Sequence, residues 1–275
     1  MEPEPLPGPA PDRTHRVGTS DGLTLVVHAW DARATDPGTG PGAHPVLLHH
    51  GFSASALVEW PRTGLVHALL TAGRRVLALD ARGHGGSDKP HDPARYGEAR
   101  MAADVVDVLD ALDVPVVDLV GYSMGSVVSL LVASAHPGRV HRLAVGGVGA
   151  GIVEVGGVDT RALPATRLAE ALRSPDPEAI TDPLVRGFRE FAEQTGNDLL
   201  ALAAQADAVH AAPLALDRIT APTLVLAGDA DPLAERPEVL AGAVPGARLQ
   251  RVRGDHGQAL LDPGFAASIT GFLDR

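Results

Sequence analysis

The sequence predicts an α/β fold built on a mostly parallel, doubly wound sheet, with an N-terminal antiparallel hairpin and a small helical insertion. Three observations carry this. Short apolar runs bounded by turn residues alternate with helical stretches, the pattern of a parallel sheet covered on both faces. Two β-type segments flanking Asp21-Gly22 come before the first alternation. One stretch, residues 152–220, breaks the rhythm: it is mainly Ala-rich helical pattern and too long for a simple crossover.

The elements follow in order. MEPEPLPGPAPDRT (1–14) is Pro-rich and acidic and has neither a basic n-region nor an apolar h-region, so it reads as a disordered leader and not as a secretory signal. HRVGTSDGLTLVVHAW (15–30) reads as a hairpin, and DARATDPGTGPGAH (31–44) as a loop. PVLLHHGF is a buried parallel strand, followed by a helix over 56–72 closed by Gly73. RRVLALDARGHGGSD is a second buried strand running into a glycine-rich loop. Residues 95–112 form an amphipathic helix with Met101, Val105, Val108, Leu109 and Leu112 near helical spacing. VPVVDLVGYS is a third strand, and MGSVVSLLVASAHP a helix ended by Pro137. HRLAVGGVGAG, TLVLAGDADP (223–232) and ARLQRVRGDHG (247–257) supply three more strands, and PGFAASITGFLDR the last helix. The expected organisation is a leader over 1–14, a core from 15–151 and 221–275, and a helical cap over 152–220 with the glycines at 146–157 as its entry hinge.

Composition narrows the function. The formal charge of −11 and a pI near 5.5 argue against nucleic acid or an anionic membrane as partner, since both require a basic surface. There is no cysteine, which removes disulfides, thiolate metal sites and a cysteine nucleophile. No apolar run approaches membrane-spanning length. The expectation is a soluble cytoplasmic protein, monomer or homodimer, acting on a small molecule.

Gly-x-Ser-x-Gly occurs twice, as GTSDG (18–22) and GYSMG (121–125). Only the second lies where a buried strand turns directly into a helix, which projects the Ser123 hydroxyl above the carboxyl edge of the sheet beside a helix N-terminus. Ser20 is explained as a hairpin-turn residue. A serine hydroxyl needs a base, and of the 12 histidines His256 follows the last strand at the same sheet edge. A carboxylate must orient the imidazole; spacing leaves Asp229 and Asp231 both open. Backbone N–H groups of Met124 and Phe52 are the candidate oxyanion donors. His49-His50 is not a metal pair, because adjacent strand residues point to opposite faces. No metal or organic cofactor is expected.

HHGF (49–52), DARGHGGSD (80–88), GYSMGS (121–126), and GDADP (228–232) with GDHG (254–257) together resemble the α/β-hydrolase fold superfamily, in its esterase- and lipase-like, serine-nucleophile branch. The resemblance covers nearly everything after residue 15. It implies Asp231 as the triad acid, Arg82 and His84 as scaffold residues, and the 152–220 segment as a variable cap. It implies hydrolysis of a carboxylic ester by Ser123, His256 and Asp231. The same triad could serve thioester, lactone, amide or carbon–carbon bond hydrolysis, perhydrolysis or acyl transfer, and an intact pocket could also belong to a receptor-like binder with little turnover.

Overall fold

A computed structural model describes residues 8–32 and 44–274. Most of the expected 31–44 loop, the first seven residues and Arg275 lie outside the described residues. Among those described, eight strands form one sheet in the order β1-β2-β4-β3-β5-β6-β7-β8. β1 (Arg13–Gly18) and β2 (Thr24–Trp30) make the antiparallel hairpin, and β2 also runs antiparallel to β4. β3 (Val46–His49), β4 (Val76–Asp80), β5 (Val117–Tyr122), β6 (Val140–Gly146), β7 (Thr223–Gly228) and β8 (Arg248–Val252) are mutually parallel.

β3, β4, β5 and β7 are buried at every position, as a sheet covered on both faces requires. Strand alternation sorts their side chains. Leu47, Leu77 and Leu119 pack against α3 (Glu98–Ala111) and α4 (Met124–Ala135) on one face. Leu48, Ala78 and Val120 pack against α2 (Leu65–Thr71) and α10 (Pro263–Leu273) on the other. α9 (Pro237–Ala243) joins the first face through Leu240.

Two local expectations are corrected. The helix foreseen over 56–72 is two helices, α1 (Ala56–Glu59) and α2, because Pro61 falls between them and Gly64 takes φ +72°. Gly73, at φ +73°, does follow the end of α2. The leader is partly built into the fold. β1 begins at Arg13, and the carbonyl of Pro9 accepts from Trp30 Nε1 at 2.8 Å, satisfying an indole that is otherwise buried.

Between β6 and β7 lie α5 (Gly151–Glu154), α6 (Ala165–Arg173), α7 (Pro183–Gln194) and α8 (Leu199–Asp207). Leu168, Leu172, Val185, Ala192, Leu202 and Ala203 form a hydrophobic cluster of their own there, to which Leu233 also belongs.

The chain leaves β3 toward β4 and returns past β3 to β5, so strand order reverses at β3. A crevice opens at the carboxyl ends on either side of such a reversal. His49 of β3 is level with Gly121 of β5, which sets residues 50–53 beside Tyr122 and Ser123. Gly228 of β7 is level with Val252 of β8, so the loops holding Asp231 and His256 leave the sheet side by side.

Candidate active site

Ser123 occupies the tight turn between β5 and α4 with φ 52° and ψ −116°, a backbone that a residue with a Cβ adopts at a cost of about 1–3 kcal/mol. The surrounding packing enforces it. A Cβ on Gly125 would lie 2.0 Å from the carbonyl oxygen of His49, and one on Gly121 would lie 2.3 Å from that of Gly125. Both glycines of GYSMG are therefore demanded by the approach of strand and helix. Ser123 N–H donates to Gly146 O at 2.8 Å. Ser126 Oγ donates to the carbonyls of Gly121 and Gly146, pinning α4 to β5 and β6.

GTSDG is built differently. A Cβ on Gly18 or Gly22 would meet nothing within 4 Å. Ser20 bonds through Oγ and its N–H to the carboxylate of Asp107, on the surface.

His256 Nδ1 lies 2.8 Å from Asp231 Oδ2, and the other carboxylate oxygen of Asp231 accepts from Leu233 N–H at 2.9 Å. Nδ1 is therefore the protonated nitrogen, which leaves Nε2 as the basic one. Asp229 instead accepts from Gly254 N–H and shapes the loop. Tyr122 OH donates to the carbonyl of His256 at 2.5 Å, and its ring lies 5.2 Å from the imidazole. Gly147, with φ +69°, leaves room for both: a Cβ there would sit 3.0 Å from His256 Cε1 and 2.7 Å from Tyr122 Cζ.

Phe52 and Met124 line the space next to Ser123. Among the described residues neither backbone N–H donates to a protein acceptor. The loop bearing Phe52 is held from several sides. His50 Nδ1–H donates to Gly51 O, and His50 Nε2 accepts from Ala81 N–H. His84 Nε2 accepts from Ser53 N–H, and Thr195 and Asn197, between α7 and α8, donate to Ser53 O. Burial pushes His49 and His84 down to about 3, so both are neutral scaffold groups. Arg82 is fully buried and forks onto Asp104 at 2.6 Å while also reaching Asp21, fastening the glycine-rich loop to α3 and the hairpin. Among the described residues no group of three or more His, Asp or Glu side chains is placed to hold a metal ion.

Ser123 stands between two compartments. A cavity of about 670 Å³ is lined by Tyr122, His256, Glu59 and Leu261 among others. A recess of about 50 Å³ runs under Met124, Val158, Leu163, Leu168 and Gln205. Phe52 and Phe188 border both, their rings 6.2 Å apart, and the Phe188 ring is 6.1 Å from that of His256. Sequence reasoning did not single out Tyr122, Gly147, Glu59 or the Thr195–Asn197 tie. Each acts through a tertiary contact, and none carries a local pattern.

A family model described as "alpha/beta hydrolase fold" matches residues 44–148. A hydrolase of known structure from Pseudomonas aeruginosa PA01 superposes with a TM-score of 0.75 at 26% identity, covering 96% of this chain and 99% of that one. An esterase from Exiguobacterium antarcticum gives 0.74 at 23% identity over 94% and 99%, a likeness of fold alone. The chain has the α/β-hydrolase fold. An identity of 39% over 112 residues (41% of this chain, 38% of the relative) links it to the 2-hydroxymuconate semialdehyde hydrolase of Pseudomonas sp. strain CF600. The same identity over 128 residues (45% and 41%) links it to the non-heme chloroperoxidase of Streptomyces lividans. These matches span less than half of each curated relative. No helix among the described residues is long and apolar enough to cross a membrane.

Proposed function

We propose that the chain is a serine hydrolase that cleaves carboxylic esters through an acyl-enzyme on Ser123. One observation supports this above the rest: Ser123 and His256, the latter held by Asp231, line one cavity, and two backbone N–H groups without a protein acceptor, those of Phe52 and Met124, belong to residues that line the space next to Ser123. In this reading His256 Nε2 takes the Ser123 proton as Oγ bonds to the carbonyl carbon. The carbonyl π electrons move to oxygen, and Phe52 and Met124 N–H receive that charge. The carbon–oxygen bond then breaks, and His256 returns its proton to the departing alcohol. Water repeats the sequence and frees the acid. Asp231 orients the imidazole and stabilises its cation.

The two compartments divide the ester. The leaving alcohol must lie on the side of the group that protonates it, and His256 lines the large cavity and not the recess. The alcohol therefore occupies the large cavity and the acyl group the recess, whose size suits a short acyl chain and a bulkier alcohol. The segment between β6 and β7 acts as the cap that walls off both.

The match to a 2-hydroxymuconate semialdehyde hydrolase favours a second reading, in which the same groups hydrolyse a substrate that is not an ester. A panel of p-nitrophenyl esters decides. We expect turnover with acetate above octanoate, and a loss of about 10³-fold or more in kcat/KM for Ser123→Ala. Equal, background-level rates for wild type and Ser123→Ala across the panel overturn the esterase reading.

A further inference from the structure

Seven carboxylates are buried among the described residues. Five have a basic partner: Asp80 with His28, Asp104 with Arg82, Asp118 with Arg74 and His141, Asp159 with Arg161, and Asp231 with His256. Glu59 and Glu98 have none, and both line the compartments that flank Ser123. A buried carboxylate without a cation is costly, so structural acids are normally paired. Glu98 has a structural explanation: it opens α3 and accepts from His210 N–H at 2.6 Å, tying the chain after α8 to the core.

Glu59 sits differently. It closes α1, is buried, and both of its oxygens face one donor, Gly51 N–H, at 3.2 and 3.1 Å. Gly51 directly precedes Phe52. A Cβ on Gly51 would touch Glu59 Oε2 at 3.3 Å, Ser123 Cβ at 3.5 Å and Tyr122 O at 3.6 Å, so the carboxyl and the nucleophile both border the space beside the same glycine.

Charged and titratable neighbours surround the spot without neutralising it. Tyr122 lies beyond Gly51, and its phenol is pushed far up by burial, with Asp231 and Glu59 adding to the effect. Arg62, Asp255 and His256 line the same cavity, and Asp80 accepts from Ala56 N–H at the start of α1. His50 and His84 stand behind the loop. No Arg, Lys or His nitrogen among the described residues forms an ion pair with Glu59.

We propose that Glu59 is a positioning residue for the oxyanion loop and works in its uncharged form, because a carboxylate at this place opposes the charge that builds on the tetrahedral oxygen. The inference rests on the acyl-transfer reading. It gives the site an alkaline limit that belongs to neither Ser123 nor His256. Burial pushes Glu59 up to about 8, which places that limit just above neutrality.

The test is the rate at which a p-nitrophenyl phosphonate labels Ser123, followed by intact mass. Ser123 Oγ bonds to phosphorus, p-nitrophenolate leaves with the bonding pair, and the serine proton passes to His256. Between about pH 7 and about pH 9.5 the wild-type rate falls about tenfold or more relative to Glu59→Gln, whose amide oxygen keeps the Gly51 bond but cannot ionise. Glu59→Leu, which releases the Gly51 N–H, is slow at every pH and shows no alkaline limb. A wild-type profile retained in Glu59→Gln overturns the proposal, as does a limb that disappears in Glu98→Gln instead. An unlabelled Ser123 in the wild type at all pH values is a different failure: it removes the nucleophile reading, and the proposal with it.

Discussion

Gly125 closes one copy of the pattern and Gly18 opens the other, and their surroundings differ completely. Around Gly125 the backbone of β3 is too close for any side chain; around Gly18 there is open space. Gly125→Ala is therefore expected to cost about 4 kcal/mol or more, or to prevent folding, whereas Gly18→Ala stays within about 0.5 kcal/mol, both read by urea denaturation. A small effect at Gly125 would mean that β3 and α4 can move apart, which the bonds of Ser126 to Gly121 and Gly146 oppose. Tyr122 makes a second prediction at this scale. Tyr122→Phe keeps the ring beside His256 and removes its bond to the His256 carbonyl. Under the proposed mechanism, ester kcat is expected to fall about tenfold with little change in KM, because the lost bond positions the proposed base and not the substrate.

At the scale of elements, the helices between β6 and β7 and the core loops are fastened to one another at the site. Thr195 and Asn197 hold Ser53, and Phe188 of α7 stands between recess and cavity. Phe188 is only half-buried, so Phe188→Ala is expected to cost little stability and to join the two compartments. The acetate-to-octanoate ratio of kcat/KM should fall about tenfold or more in that variant. An unchanged ratio would show that the recess does not hold the acyl chain. The α1–α2 break belongs to this scale too. A single helix through 56–72 would not end at Glu59, where the carboxyl now reaches Gly51.

For the whole molecule, the two unpaired glutamates set a stability trend. Burial raises Glu59 to about 8 and Glu98 to about 7. In the unfolded chain both release their protons near the ordinary carboxylate value of about 4.3. Between that value and 7–8 the native state holds more protons than the unfolded state, so the stability they contribute is full at acid pH and lost as pH rises through the folded values. Melting of Glu98→Gln is expected to match wild type near about pH 4 and to exceed it by a few degrees near about pH 7.5. Equal melting of the two at the higher pH would show that Glu98 is not held protonated by burial.

Sheet, hairpin and the order of strands and helices were legible in the sequence, because a strand buried on both faces must be apolar throughout and a turn must carry Gly, Asp or Pro. Ser123 and His256 were legible as site candidates, since each follows a recognisable strand at the same edge. The choice between Asp231 and Asp229 was not settled by spacing, and the resemblance to a family pointed to Asp231. In the fold it is Asp231 that faces His256 Nδ1, and Asp229 that faces Gly254 N–H. The leader and the helix at 56–72 were misread in part, because Pro9 is held by Trp30 and the Pro61–Gly64 break yields a carboxyl that meets Gly51. What the sequence determined by itself is everything that depends on local pattern: periodicity, punctuation, and the order of chemically able residues along the chain. What only the tertiary structure decided is which groups meet: Glu59 with Gly51, Tyr122 with His256, Phe188 between two compartments. Such contacts depend on how strand ends are levelled by register and where strand order reverses, and no short-range preference of the chain encodes that.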